Sequence, residues 1–119
     1  MKQALLLIDH GSRRKEANDM LESLARLIQD SRPELVVKFA HMELAPPDIP
    51  RGFADCVEAG ASEVIAFPYM LSPGRHVSED LPRLLNAAAS EHPGVAFRLT
   101  APLGLHKKIS EVILERAGL

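Results

Sequence analysis

Residues 5–14 read LLLIDHGSRR. An unbroken apolar run passes straight into an aspartate, a histidine, a glycine, a serine and two arginines. A strand covered on both faces of a parallel sheet has this continuous apolar character, because neither side of it meets water. Ala4–Asp9 is therefore expected as a first strand, with His10 just beyond its carboxyl end. Either the strand simply surfaces and turns there, or His10 stands at the mouth of a site.

Outward from this stretch the apolar period changes. Ala17, Met20, Leu21, Leu24, Leu27 and Ile28 recur at helical spacing and form one stripe, which Arg32-Pro33 ends. Leu35–Ala40 reads as a second strand, followed by a proline-rich connection through Pro46, Pro47 and Pro50. Ile49, Phe53, Cys56 and Val57 mark a second helix that Gly60 is placed to cap. Val64–Met70 reads as a third strand. Val77, Leu81, Leu84, Leu85 and Ala88 give a third helix; with Ser78 as N-cap, Pro82 falls in its first turn. After Pro93-Gly94, Val95–Leu99 reads as a fourth strand, and Ile109, Val112 and Ile113 mark a last helix.

Four consecutive βα units predict an α/β fold, a doubly wound parallel four-stranded sheet, over residues 1–119 as a single domain; the order expected for it is the flavodoxin-like 2-1-3-4, by analogy with that fold. Charged residues at 25% and apolar residues at 46% suit a soluble globular chain. A net charge of -2 gives no basic face for nucleic acid. The single cysteine, Cys56, fits a reducing cytoplasmic setting as a helix-face hydrophobe, and the apolar run near the N-terminus is too short for a membrane span.

Ligands of open α/β sheets bind beyond the carboxyl ends of the strands. His10 follows the first strand, His41 and Glu43 the second, and His76 the third; His10, Glu43 and His76 are each 33 residues apart, one βα unit per step. In the 2-1-3-4 order these are adjacent strands about 4.8 Å apart, so the side chains can converge on one ion. Two imidazoles and a carboxylate suit cobalt, nickel, iron or zinc better than magnesium or calcium. Taken singly, a histidine at a strand end is more often a turn residue than a ligand. His92 lies at the opposite edge and reads as structural, and His106 reads as an N-cap.

Seven of the 14 lysines and arginines (Arg13, Arg14, Lys15, Arg51, Arg75, Lys107 and Lys108) fall in strand-to-helix loops or first helical turns. The helix dipole favours acids there, so this crowding reads as a rim that attracts a polyanion. Other chemistries lack their motifs: there is no glycine-rich phosphate loop, GxSxG elbow, HExxH or paired CxxC.

DHGSR, MELAPPDIP, PYMLSPGRHVSEDLP and APLGLH follow the four strands in order. Together they resemble the short, single-domain, ATP-independent sirohydrochlorin chelatases (CbiX-like). The combination of HGS with GxHVxxDLP carries the resemblance, which spans essentially the whole chain. It implies that His10, His76 and Glu43 are both metal ligands and catalytic residues. It further implies insertion of Co2+, or of Fe2+ or Ni2+, into sirohydrochlorin without a nucleotide, in cobalamin or siroheme supply, by a homodimer. A substrate bearing carboxylates around its rim would use Ser12, Arg13, Arg14 and Arg75, with Tyr69, Met70, Leu71, Leu44 and Leu103 as an apolar wall. His41 stands where the family commonly has an aromatic or aliphatic residue. It competes with Glu43 as third ligand; with Glu43 favoured, a phenylalanine at 41 is expected to be tolerated. The alternative is a metal or tetrapyrrole carrier without turnover, and a third reading is a pure dimerisation module.

Overall fold

In a computed structural model that describes residues 2–119, β1 (Gln3–Asp9) is flanked by β2 (Val36–His41) and β3 (Glu63–Pro68), with β4 (Ala96–Leu99) beyond β3. All pairings are parallel, as the alternation of periods predicts, and the order is β2-β1-β3-β4, the flavodoxin-like one expected. α1 (Lys15–Ser31) covers one face, while α2 (Ile49–Glu58) and α3 (Arg75–Ser90) cover the other. The strand order reverses at β1, so the chain segments leaving β1, β2 and β3 emerge side by side at one edge.

Alternation along β1 divides the core. Ala4, Leu6 and Ile8 pack with Ile49, Phe53, Val64, Leu81 and Leu85 under α2 and α3, whereas Leu7 meets Leu21, Ala25 and Val37 under α1. α2 lies unusually close to the sheet. A Cβ added at Gly52 would stand 2.8 Å from the Ala40 Cβ, 3.0 Å from the Leu6 Cδ1 and 3.1 Å from the Phe39 carbonyl oxygen. The start of α2 is fixed by Asp48, whose carboxylate accepts from the Arg51 N–H at 2.9 Å. Past its end, Gly60 takes φ +99 and donates to the Val57 carbonyl.

Two expectations need correction. α3 begins at Arg75, with Gly74 as N-cap, so Ser78 and Pro82 both lie inside the helix. Pro82 has no N–H, which deprives the Ser78 carbonyl of its helical partner. β3 stops at Pro68, two residues short, which leaves Tyr69, Met70 and Leu71 in the following loop. The last helix, α4 (Lys107–Ala117), has the expected apolar spacing but buries none of its residues.

Gly52→Ala adds helix propensity worth about 1 kcal/mol but forces α2 off the sheet, an overpacking cost of about 1–3 kcal/mol. A net loss of stability in urea unfolding is expected; a gain would contradict the close packing.

Candidate functional site

At the end of β1 the backbone turns through Gly11, whose φ of +92 belongs to the left-handed region. A Cβ there would stand 1.8 Å from the Glu43 carbonyl oxygen, so only glycine lets the two loops touch. The β1–β2 ladder then extends past its strands: Met42 N–H donates to the Asp9 carbonyl at 3.0 Å and Glu43 N–H to the His10 carbonyl at 3.2 Å. The result is that His10 Nδ1 and Glu43 Oε1 face one another at 3.6 Å, both side chains more than half exposed.

His76 arrives from the third unit as the second residue of α3, not from the loop before it. It lines the same small cleft, about 100 Å³, as His10, Glu43 and Asp80, with Val77 and Leu84 along its wall. The His76 Nε2 is turned towards Asp80 Oδ2 at 2.9 Å, and Asp80 also accepts from Arg83 at 3.2 Å. Among the described residues no three histidine, cysteine or acidic side chains are grouped tightly enough to hold an ion as they stand. His10 and Glu43 are together; His76 shares their cleft but is swung to Asp80. Asp80 escaped the sequence reading, although its i, i+4 spacing from His76 is visible in HVSED.

His41 is withheld from this cleft. It is the one buried polar or charged side chain among the described residues, 1% exposed, and its Nδ1 lies 2.5 Å from Asp9 Oδ1. The two residues are opposite one another in the β1–β2 register. The competition between His41 and Glu43 is thus separated in space: His41 ties the strand ends together, and Glu43 faces His10.

A wider cleft of about 580 Å³ adjoins the first, sharing His10 and Val77 with it, and is lined also by Asp9, Ser12, Tyr69 and Met70. Ser12 has local work: its hydroxyl accepts from the Arg14 N–H, and its backbone is bracketed by Asn18, another residue the sequence reading passed over. Leu44, at φ +71, and Leu71 are exposed large hydrophobics of the edge loops. The loop after β4 is strapped to them, Leu103 N–H donating to the Met70 carbonyl and Gly104 N–H to that of Leu71.

The basic rim is smaller than its residue count. Lys15 pairs with Asp19, Arg51 with Asp55 and Glu58, and Arg75 with Glu79, each within its own helix. Hydrogen bonds to Glu58 and Asp55 hold the Arg51 guanidinium above its ordinary pKa, and the bond to Asp19 does the same for Lys15. Arg13, Arg14, Lys107 and Lys108 have no such pairing among the described residues. Neither α1 nor α3 has a side-chain cap, which leaves N-terminal N–H groups of both helices open at this edge. Cys56 is buried and its thiol is pushed up to about 12 by burial, so it supplies no thiolate. His92 stacks on Phe53, and His106 Nδ1 accepts from the Lys108 N–H as the N-cap of α4.

A parallel sheet with two imidazoles and two carboxylates along its carboxyl edge defines a donor-lined α/β cleft. The chain belongs to the CbiX family, which matches it over residues 4–118. It is 42% identical over 112 residues to the chloroplastic sirohydrochlorin ferrochelatase of Arabidopsis thaliana, covering 94% of this chain and 50% of that protein. With the sirohydrochlorin cobaltochelatase of Methanococcoides burtonii it shares 29% identity, over 98% of this chain and 95% of the relative. The cobalt complex of the sirohydrochlorin chelatase SirB from Bacillus subtilis subspecies spizizenii superimposes with a TM-score of 0.89 at 29% identity, over 99% of this chain and 50% of that one. The chain therefore spans about half the length of some relatives and nearly all of others.

The His41–Asp9 pair alters one expectation. His41→Phe strips the part-buried Asp9 of its partner at the strand ends, and a hydrogen bond to a charged group is worth about 1.5–3 kcal/mol. A lowered Tm is expected in place of tolerance; an unchanged Tm would show that the Asp9–His41 contact contributes nothing.

Proposed function

We propose that this protein is a sirohydrochlorin chelatase that inserts a divalent metal, with His10, His76 and Glu43 as its metal ligands and catalytic residues. The observation that carries the reading is the shared cleft of His10, Glu43 and His76, one donor from each of three adjacent βα units, opening beside a larger half-apolar cleft. Family membership and the names of the relatives support the substrate. Two imidazoles with a carboxylate suit Co2+ or Fe2+, with Ni2+ also accommodated. The relatives include both a ferrochelatase and a cobaltochelatase, and Co2+ is our choice for the assay below.

In this reading the ion enters at His10 and Glu43, and His76 swings from Asp80 to join them. The tetrapyrrole lies over the wider cleft against Tyr69, Met70 and Leu71. Its carboxylates meet Arg13 and Arg14, the open N–H groups of α1 and α3, and Ser12. Arg75 first has to leave Glu79. Two pyrrole N–H protons leave as the divalent ion enters. Glu43 is placed to take one, and an imidazole released from the metal takes the other. The exchange needs no nucleotide, because no high-energy bond is made. A cytoplasmic site of action and a pairing of two copies complete the proposal; no helix among the described residues is long and apolar enough to cross a membrane.

Absorbance of sirohydrochlorin incubated with Co2+ tests the assignment. Metal insertion above the spontaneous rate is expected, and His10→Ala and His76→Ala are each expected to abolish it with little effect on folding, since both side chains are exposed. Wild-type turnover in either variant removes that histidine from the site, and no acceleration by the parent protein leaves the carrier reading.

The rim has its own test. Arg13→Gln with Arg14→Gln is expected to raise the apparent KM more than it lowers kcat. The KM of the parent protein is expected to rise with salt, because exposed charges are screened within about 8–10 Å at physiological ionic strength. A salt-independent KM would contradict the rim.

A further inference from the structure

Gly11 divides the segment after β1 into two stretches with separate anchors. On the strand side, the His10 carbonyl accepts from the Glu43 N–H at 3.2 Å, so His10 is tied to β2. Past Gly11 the hold passes to α1. Asn18, the fourth residue of that helix, reaches back over the turn: its Oδ1 accepts from the Ser12 N–H at 3.0 Å and its Nδ2 donates to the Ser12 carbonyl at 2.7 Å. One carboxamide thus takes up both backbone groups of one residue. The ring closes through Arg14, whose N–H donates to the Ser12 hydroxyl at 3.0 Å and whose carbonyl accepts from the Asn18 N–H at 3.3 Å. Ser12 and Asn18 are half-buried, while Arg13 and Arg14 between them stand exposed.

The residue type is telling. Asparagine is a poor helix former because its side chain bonds to nearby backbone instead. Here that habit is the use made of it. A carboxamide carries an acceptor and a donor at one planar end, whereas aspartate has no proton to give the Ser12 carbonyl.

We infer that Asn18 is a positioning residue for the tetrapyrrole: it acts through Ser12 to hold Arg13 and Arg14 at the cleft, and it takes no part in holding the metal ion. Ser12 lines the wide cleft, and the two arginines follow it directly in the chain. Without the carboxamide, residues 12–14 pivot about Gly11, and binding a carboxylate there has to order them first. His10 lies on the other side of the pivot with its own anchor, so the grip on the macrocycle and the grip on the ion are set independently.

The inference rests on the chelatase reading above. Calorimetric titrations with metal-free sirohydrochlorin and with Co2+, run separately, keep the two apart because neither needs turnover. Asn18→Ala is expected to weaken sirohydrochlorin binding about tenfold, the cost of ordering roughly one backbone residue, with Co2+ affinity unchanged. In the background of Arg13→Gln with Arg14→Gln the same substitution is expected to cost less than about twofold, because residues that act through one another are not additive. Should Asn18→Ala fail to fold, Asn18→Asp is read in its place, since it keeps the acceptor for the Ser12 N–H. Any repulsion between its new charge and the substrate would persist without the arginines, so the same cycle exposes it. Unchanged sirohydrochlorin affinity, an equal loss of Co2+ affinity, or a tenfold loss that persists without the arginines each overturns the inference and leaves the chelatase reading standing. Binding by the parent protein without turnover overturns the chelatase reading alone, and no binding of sirohydrochlorin by the parent overturns both.

Discussion

The site depends on one contact between backbones. Gly11 lies so close to the Glu43 carbonyl that no side chain fits between them, and this closeness lets the two ladder bonds beyond β1 and β2 form. Those bonds carry the register of the sheet out into the loops. His10 and Glu43 therefore stand on what is effectively rigid sheet, although both are surface residues. Below them the buried His41 and the part-buried Asp9 fasten the same strand ends through side chains. Two candidate donors are thus positioned from below by one backbone and one side-chain contact, neither of which uses the donors themselves.

The third donor is held differently. His76 rides on the first turn of α3 and is directed by Asp80 one turn on, so its position follows from helix geometry and not from the sheet. This division gives a fixed half, His10 and Glu43, and a movable half, His76. On the proposed reading, a chelatase that takes up an ion and then gives it away to a macrocycle needs ligands that do not hold too well. A site with one donor swung aside meets that need better than a closed cage would.

Most of the architecture was legible because buried strands and amphipathic helices have different periods, and the reversal of order at β1 was expected by analogy with flavodoxin-like sheets. The 33-residue spacing of His10, Glu43 and His76 pointed to the cleft that they share for the same reason. What escaped the sequence was local. The start of α3 was misplaced because Gly74 caps without a side chain, while Ser78 looks like a better cap. The rim was overcounted although acids that pair with Lys15, Arg51 and Arg75 stand four residues on, and for Arg51 also seven, in plain view. His41 and Glu43 were indistinguishable by alternation, since residues two apart share a face only while the strand continues, and β2 stops at His41. The stripe of α4 announced an amphipathic helix and could not say what it packs against.

X-ray absorption fine structure at the cobalt edge of the protein loaded with one Co2+ reads the convergence of these donors directly. Two imidazole shells together with carboxylate oxygen are the expected first coordination sphere. A sphere of oxygen alone, or one with a single imidazole, would contradict the gathering of His10, Glu43 and His76 around one ion.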